Sequence, residues 1–321
     1  TMSEAVMITG GAGFIGSHLI EILISSGYKV IVLDNLSAGR LEYIEHWLDS
    51  PNFEFHKVDL RNKDELIELC RNFDVVFHFA ANPEVRIGAQ KPKDIWENNV
   101  IATYNLLEAL RYNGIKYLVF ASSSTVYGEA KKIPTPEDYA PLEPISVYGA
   151  SKLACEAMIS GYAHTFKIRS LVLRYANIIG PRLRHGVIYD FIMKLKRNPE
   201  VLEILGDGTQ RKSYLHISDA IDATLHAFNV FRESGKLFDV YNVGSEDWIT
   251  VREIAEIVSK AMNLNPKFEF TGGVEGGRGW ISDVKYMLLD ISKLKKTGWA
   301  PKLSSREAVE RAARELVEEL L

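Results

Sequence analysis

Tyr148 and Lys152 stand four positions apart in Tyr148-Gly149-Ala150-Ser151-Lys152. Four residues is about one turn of an α-helix, so both side chains leave one face. A tyrosine with its ordinary pKa of ~10 is a poor base at neutral pH. A lysine charge about 4 Å away, at an effective dielectric of ~20, is worth roughly 4 kcal/mol, on the order of three pKa units. That brings the phenol toward pH 7, where it can take and return a proton. Y-x-x-x-K alone arises often by chance, and its weight here comes from a second group. Ser122-Ser123-Ser124-Thr125-Val126-Tyr127-Gly128 follows an apolar run at 117–121. This places hydroxyls at the carboxyl end of a strand, where doubly wound sheets hold their ligands. The plain alternative is a Ser/Thr-rich turn that only caps backbone.

A third group points to a dinucleotide. The apolar run 6–9 leads directly into Gly10-Gly11-Ala12-Gly13-Phe14-Ile15-Gly16 and then into a helical pattern. Glycines are needed where a tight turn must let backbone approach a pyrophosphate and let the helix pack against the strand. The first amides of that helix, at Phe14 and Ile15, then aim at the anion. Asp34 ends the second predicted strand, where a carboxylate can accept from a ribose diol and repel a 2′-phosphate, which favours NAD over NADP. Alternatively Asp34 only opens the turn Asp34-Asn35-Leu36-Ser37, and Arg40 nearby argues the other way. Asp59 and Leu60 are expected at the adenine, unless Asp59 merely closes its strand.

These groups need a frame. Short apolar runs at 6–9, 29–34, 53–58, 75–80, 117–121 and 169–174 alternate with helical patterns at 14–25, 63–70, 95–111 and 151–164. Nearly all-apolar strands alternating with helices predict an α/β, doubly wound parallel sheet of the Rossmann type, covered on both faces. After Tyr175 the rhythm breaks into Gly- and Pro-bearing loops with isolated helices at 187–196 and 250–262, which reads as a smaller α/β substrate lobe. The expected division is residues 1–176 plus about 213–243 for the dinucleotide domain, with about 177–212 and 244–321 for the lobe.

The 321 residues are 46% hydrophobic with a net charge of −4, enough for one large or two medium cores and with no basic stripe to hold nucleic acid. The two cysteines, Cys70 and Cys155, make no metal cluster and suit a reducing compartment. No apolar run reaches the ~18 residues of a membrane span, and the first residues carry no leader pattern, so a cytoplasmic protein without membrane contact is expected.

The motifs Thr9-Gly10-Gly11-Ala12-Gly13-Phe14-Ile15-Gly16, Asp34-Asn35-Leu36-Ser37, His78-Phe79-Ala80-Ala81, Asn99-Val100, Ser123 to Gly128, Tyr148 to Lys152, Leu173-Arg174-Tyr175-Ala176-Asn177, Gly206-Asp207-Gly208 and Tyr241-Asn242-Val243-Gly244 run in this order over most of the chain. Together they resemble the UDP-glucose 4-epimerase branch of the extended short-chain dehydrogenases. The resemblance implies a tightly bound NAD, held by Gly10, Gly13, Phe14, Ile15, Gly16, Asp34, Asn35, Ser37, Asp59, Leu60, Phe79, Ala80, Ala81, Asn99, Ala121, Tyr148, Lys152 and Tyr175. It makes Ser123 the catalytic hydroxyl beside Tyr148 and Lys152. It places the UDP-sugar against Ser123, Ser124, Tyr148, Asn177, Gly186, Val187, Lys212, Arg278 and Met287. It further implies a hydride shuttle through a 4-keto sugar, a role in galactose metabolism, and a homodimer formed through helices around 95–111 and 151–164.

Some positions depart from the family pattern. Related dehydratases and decarboxylases carry acids where Ser124 and Thr125 stand, and dehydration needs an acid, so the sequence favours epimerisation. The family has an arginine where Lys212 follows Arg211, which leaves two candidates for the diphosphate. The segment from Arg278 to Asp283 is longer than the family's spacing, so Arg278 is either a phosphate ligand or a solvated loop charge. Met287 is expected beside the sugar 2-substituent, or else is ordinary core. The rival readings are another nucleotide-sugar enzyme of the family, including a UDP-N-acetylglucosamine 4-epimerase, and a silent NAD-sensing regulator.

Overall fold

The computed structural model describes residues 4–81 and 86–321. Seven strands form the central sheet: β1 (Ala5–Thr9), β2 (Lys29–Asp34), β3 (Phe53–Lys57), β4 (Val75–His78), β5 (Tyr117–Ser123), β6 (Arg169–Tyr175) and β7 (Phe238–Val243). Their order is β7-β6-β5-β4-β1-β2-β3. The pairs β1–β2, β1–β4, β2–β3 and β4–β5 are parallel. The doubly wound parallel sheet expected from strand and helix alternation is therefore present, with the order reversing beside β1. Strands buried on both faces must be apolar throughout, and Met7, Ile8, Val30, Leu33, Val76, Leu118 and Val172 are all fully covered or nearly so.

Tertiary contacts group the chain into two compact units. The first contains 1–123, 150–174 and 224–241, and the second contains 124–149, 175–223 and 242–321. The sequence-based division placed 124–149 with the dinucleotide domain and returned the chain to it near 213. In the structure the segment after Ser123 belongs to the second unit, and the return begins at 224. Residues Tyr214–His216 do not join the central sheet; they pair with Asn177–Ile179 in a separate two-stranded ribbon.

One predicted helix is interrupted. The stretch 95–111 divides into a short helix Pro92–Ile95, a π-turn Trp96–Ile101 and helix Ala102–Asn113. Such a turn admits one extra residue per hydrogen-bonded ring and is frequent at functional sites. Among the described residues, no helix is long and apolar enough to cross a membrane, and no cluster of three or more potential metal ligands occurs.

Candidate active site

The first unit places several candidate residues at the carboxyl ends of its strands. After β1 the chain turns at Gly10, whose φ of +72° favours glycine, and a Cβ there would meet Ala80 N at 2.7 Å. A Cβ on Gly16 would lie 2.4 Å from the Gly10 carbonyl. These two glycines are thus demanded by the turn's own packing, before any ligand arrives. The helix that follows, Phe14–Ser25, has Gly13 as its N-cap, no side-chain cap and no acidic residue in its first turn. Its leading amides remain suited to a diphosphate, so the loop fits a dinucleotide.

Asp34, 7% exposed, ends β2 and accepts from Ala12 N at 3.0 Å and from Leu36 N at 2.7 Å. Burial raises its pKa above the usual carboxylate value, and the two amide bonds oppose that rise. The carboxylate is thereby held by the glycine loop itself. Asn35 accepts from Ser37 N and Ser37 Oγ, closing the next turn. Asp59 is half-buried and chelated by Arg61, while the Leu60 carbonyl accepts from Asn105.

His78 joins three elements. Thr103 Oγ1 donates to the Asn99 carbonyl at 2.6 Å, so it must accept from His78 Nε2–H at 2.8 Å. The imidazole is neutral, because burial pushes its pKa down to about 3, with the Lys152 charge a further cause. Nδ1 is therefore an acceptor, and Thr9 Oγ1 donates to it at 2.6 Å while accepting from Ala80 N at 3.2 Å. This chain links the glycine loop, the Phe79-Ala80 segment and the π-turn that holds Asn99. Asn99 itself is buried and donates from Nδ2 to Ser151 Oγ at 3.0 Å. Ala81 follows Ala80 and is half-buried.

A single helix, Val147–Phe166, carries both Tyr148 and Lys152. Ser146 starts it by accepting from Gly149 N at 2.9 Å, an N-cap bond. Gly149 is tightly constrained, since a Cβ there would sit 2.7 Å from the Thr125 carbonyl. Tyr148 is half-buried. Lys152 is 4% exposed and donates from Nζ to the Ala121 carbonyl at 2.9 Å. Burial lowers its pKa to about 8, while the nearby Cys155 and Glu156 hold it up. It therefore remains a cation at neutral pH. Its hydrogen-bonded partner is a neutral carbonyl, and a carboxylate in that place would have cancelled the charge the phenol needs.

Ser123 ends β5 and is half-buried; Ser124 opens a 3₁₀ turn, Ser124–Tyr127, and is buried. Tyr127 OH donates to Asn242 Oδ1 at 2.6 Å, and Asn242 donates onward to the carbonyls of Thr135 and Asp290. That anchors the turn from within the second unit. Tyr175 ends β6 and is buried, and Asn177 opens the ribbon strand Asn177–Ile179.

The remaining candidates of the second unit are arranged differently. Gly186, with φ +88°, precedes helix Val187–Arg197 and has no side chain to cap it. On the strand Arg211–Lys212 successive side chains point to opposite faces. Arg211 is exposed and lies over the Trp248 ring, whereas Lys212 donates to Asp283 Oδ1 at 2.6 Å and lies over the Trp280 ring. Asp283, 2% exposed, also accepts from Gly279 N at 3.0 Å. Arg278 donates from Nε and Nη2 to Glu129 Oε1 at 3.1 and 2.8 Å, so it is not a solvated loop charge. Met287 is 8% exposed and pairs in parallel register with Lys212.

Sequence reasoning passed over Glu129 and, although it quoted His78, Ser122 and Arg174 within motifs, gave no role to His78 or to the buried group made by Ser122, Glu156 and Arg174. A signal for the last was present, because an arginine inside the apolar run Leu171-Val172-Leu173-Arg174 needs a buried partner.

The chain matches the NAD dependent epimerase/dehydratase family over residues 6–244. It is 35% identical over 313 residues to a putative UDP-glucose 4-epimerase of Methanocaldococcus jannaschii, covering 95% of this chain and 96% of that protein. Its structure is similar to the crystal structure of a UDP-galactose 4-epimerase, with a TM-score of 0.90 and 49% identity over 99% of this chain and 100% of the other. It is also similar, with a TM-score of 0.86 and 29% identity over all of both chains, to a UDP-N-acetylglucosamine 4-epimerase from Methanobrevibacter ruminantium M1 in complex with UDP-N-acetylmuramic acid. A glycine loop closed by Asp34, a lysine kept charged one turn after a tyrosine, and these likenesses lead to one conclusion: the chain belongs to the NAD dependent epimerase/dehydratase family, with NAD as its cofactor.

Proposed function

We propose that this protein interconverts UDP-glucose and UDP-galactose by inverting the configuration at C4. The observation that carries the reading is Lys152, a buried cation bonded to a carbonyl on the helix that bears Tyr148. In this proposal the first unit holds NAD tightly, and the second supplies most of the groups for the nucleotide sugar. Bound NAD would supply the hydride acceptor and donor for C4. Tyr148 removes the 4-hydroxyl proton and later restores it, with Lys152 stabilising the phenolate. Ser123 donates a hydrogen bond to the 4-oxygen as it becomes a carbonyl. Lys212 and Arg278 neutralise the diphosphate, and Asn177, Gly186, Val187 and Ser124 complete the substrate contacts.

Epimerisation is favoured over dehydration because no acid stands between Ser123 and Val126. A second sugar class, the N-acetylated hexoses, is supported by the similarity to the UDP-N-acetylglucosamine enzyme and by a methionine at 287. A homodimer through the elements around 95–111 and 151–164 is supported by Trp96 in the π-turn Trp96–Ile101, Tyr112 on helix Ala102–Asn113 and Phe166 on helix Val147–Phe166, which are 48%, 73% and 40% exposed. The decisive experiment is incubation with UDP-galactose and no added cofactor, followed by identification of the sugar. Conversion to UDP-glucose without net NADH is expected. An empty cofactor site together with stoichiometric NADH from added NAD would refute the proposal.

A further inference from the structure

Glu156 lies one turn beyond Lys152 on the helix Val147–Phe166 and is 4% exposed. Its carboxylate accepts from Ser122 Oγ at 2.5 Å, from Arg174 Nη2 at 2.7 Å and from Arg174 Nε at 3.1 Å. Arg174, on β6, is equally buried, and Ser122 lies on β5 between Ala121 and Ser123. One carboxylate therefore ties the lysine's helix to two adjacent strands. The residue on one side of its β5 contact receives Lys152 Nζ at the Ala121 carbonyl, and the residue on the other side is Ser123.

A buried ion pair is a poor source of net stability, since removing two charges from water costs about as much as their attraction returns. A hydrophobic pair would cover the same space. What a hydrophobic pair cannot do is fix strand register against the helix through directional bonds.

We propose that Glu156, acting with Ser122 and Arg174, is a positioning residue of the epimerase reaction that holds the Ser123 hydroxyl and the Lys152 ammonium at a fixed separation. This rests on the reading of Ser123, Tyr148 and Lys152 as the reacting set. Glu156 has a second effect, because its negative charge supports the protonated lysine. The groups facing Lys152 include neutral His78 from β4, Phe120 and the Ala121 carbonyl from β5, and Cys155 and Glu156 from its own helix, with Arg174 of β6 paired to Glu156.

The test measures kcat, KM, retained NAD and thermal midpoint across pH for four variants. Ser122→Ala, which leaves the ion pair intact, is expected to lower kcat about tenfold with KM, NAD content and midpoint close to native. Glu156→Gln is expected to lower kcat about a hundredfold and move the alkaline limb to lower pH by about one unit, as the lysine loses its supporting charge. The pair Glu156→Leu/Arg174→Met is expected to regain the midpoint lost in Glu156→Gln while kcat stays low. Tyr148→Phe serves as the control. The proposal is overturned if Ser122→Ala keeps turnover near native and if turnover in the other two follows the midpoint alone, with Tyr148→Phe inactive. Full turnover in Tyr148→Phe would instead overturn the catalytic assignment beneath it. Should Glu156→Gln fail to fold, Ser122→Ala alone decides.

Discussion

The two units hold their functional cations in opposite ways. In the first, Lys152 is buried on its helix and donates to a neutral partner, the Ala121 carbonyl of β5. In the second, Lys212, Arg278 and Lys285 sit on loops and short strands, each against a carboxylate: Asp283, Glu129 and Asp207. The surrounding loops turn through Gly206, Gly208, Gly272, Gly273, Gly276 and Gly277, all at positive φ. A lysine that must tune a phenol needs a constant field, and rigid strand ends supply it. On the proposed reading Lys212 and Arg278 take up and release a diphosphate, and such cations are better held by a carboxylate that the substrate can replace. Preorganisation belongs to the chemistry and exchange belongs to binding.

The largest effect expected from this contrast is at the preorganised end. Tyr148→Phe removes the transferable proton and almost no volume, so turnover should fall by on the order of 10³ to 10⁴ while NAD stays bound. Ser123→Ala, which removes only a hydrogen bond to the 4-oxygen, should cost less, on the order of 10². Activity assays with UDP-galactose, together with NAD released on denaturation, check both. Near-normal turnover in Tyr148→Phe would mean that the base is elsewhere.

The first unit was the more legible in the sequence, for a physical reason. The all-apolar strands and the glycine turn are local patterns, and each states its structure within a few residues. The groups that escaped depend on pairings distant along the chain. His78 meets Thr9 and Thr103, and Arg278 meets Glu129; neither pairing leaves a mark in local sequence. The boundary near 124 was also hidden, because β5 runs into the Ser124–Tyr127 turn without a linker.

Acid stability sharpens the comparison next, since each unit buries a histidine. His78 has hydroxyl partners on both nitrogens and a pKa pushed down to about 3. His216 Nδ1 accepts from Ser218 N at 3.1 Å and from Ser218 Oγ at 2.8 Å, and Nε2 donates to Glu315 Oε1 at 2.6 Å; burial lowers its pKa, and Glu315 opposes that. Between the ordinary histidine value near 6.5 and about 3, the unfolded chain binds the proton that folded His78 refuses. Stability is thus full above pH ~6.5 and declines as pH falls toward ~3, by on the order of a few kcal/mol. His78→Gln, which keeps a donor and an acceptor but does not titrate, should flatten this decline. Thermal midpoints against pH for the two proteins provide the measurement, and identical curves would assign the acid loss to other groups.

In the second unit, Lys212→Met should raise KM for the UDP-sugar by about 2 kcal/mol, or some thirtyfold, with little change in kcat, because on the proposed reading it removes a charge the diphosphate meets in ground and transition states alike. Glu129→Gln tests the exchange idea in the opposite direction. If Glu129 competes with the diphosphate for Arg278, the neutral variant should bind UDP a few-fold more tightly, by about 0.5–1 kcal/mol. Titration calorimetry with UDP reads both. Weaker binding in Glu129→Gln would show that the carboxylate orients Arg278 and does not compete.

The smallest effect concerns the sugar. Met287 lies in register with Lys212, and its carbonyl accepts from Ser213 N, so its backbone is fixed while its side chain is unbranched and adaptable. At 8% exposure it is packed tightly enough for a change of volume to be felt by its neighbours. If it borders the sugar 2-substituent, methionine should admit an acetamido group less readily than serine and more readily than tyrosine. One misfitting group in a pocket is worth about 1–3 kcal/mol, so the efficiency ratio of UDP-N-acetylglucosamine to UDP-glucose should rise several-fold in Met287→Ser and fall several-fold in Met287→Tyr. Substituting a buried residue also lowers the folded fraction, which would confuse either rate taken alone. The ratio cancels that loss, because both substrates meet the same folded enzyme. A ratio moved in opposite directions by serine and tyrosine places Met287 at the sugar, and a ratio unmoved by either returns it to the core.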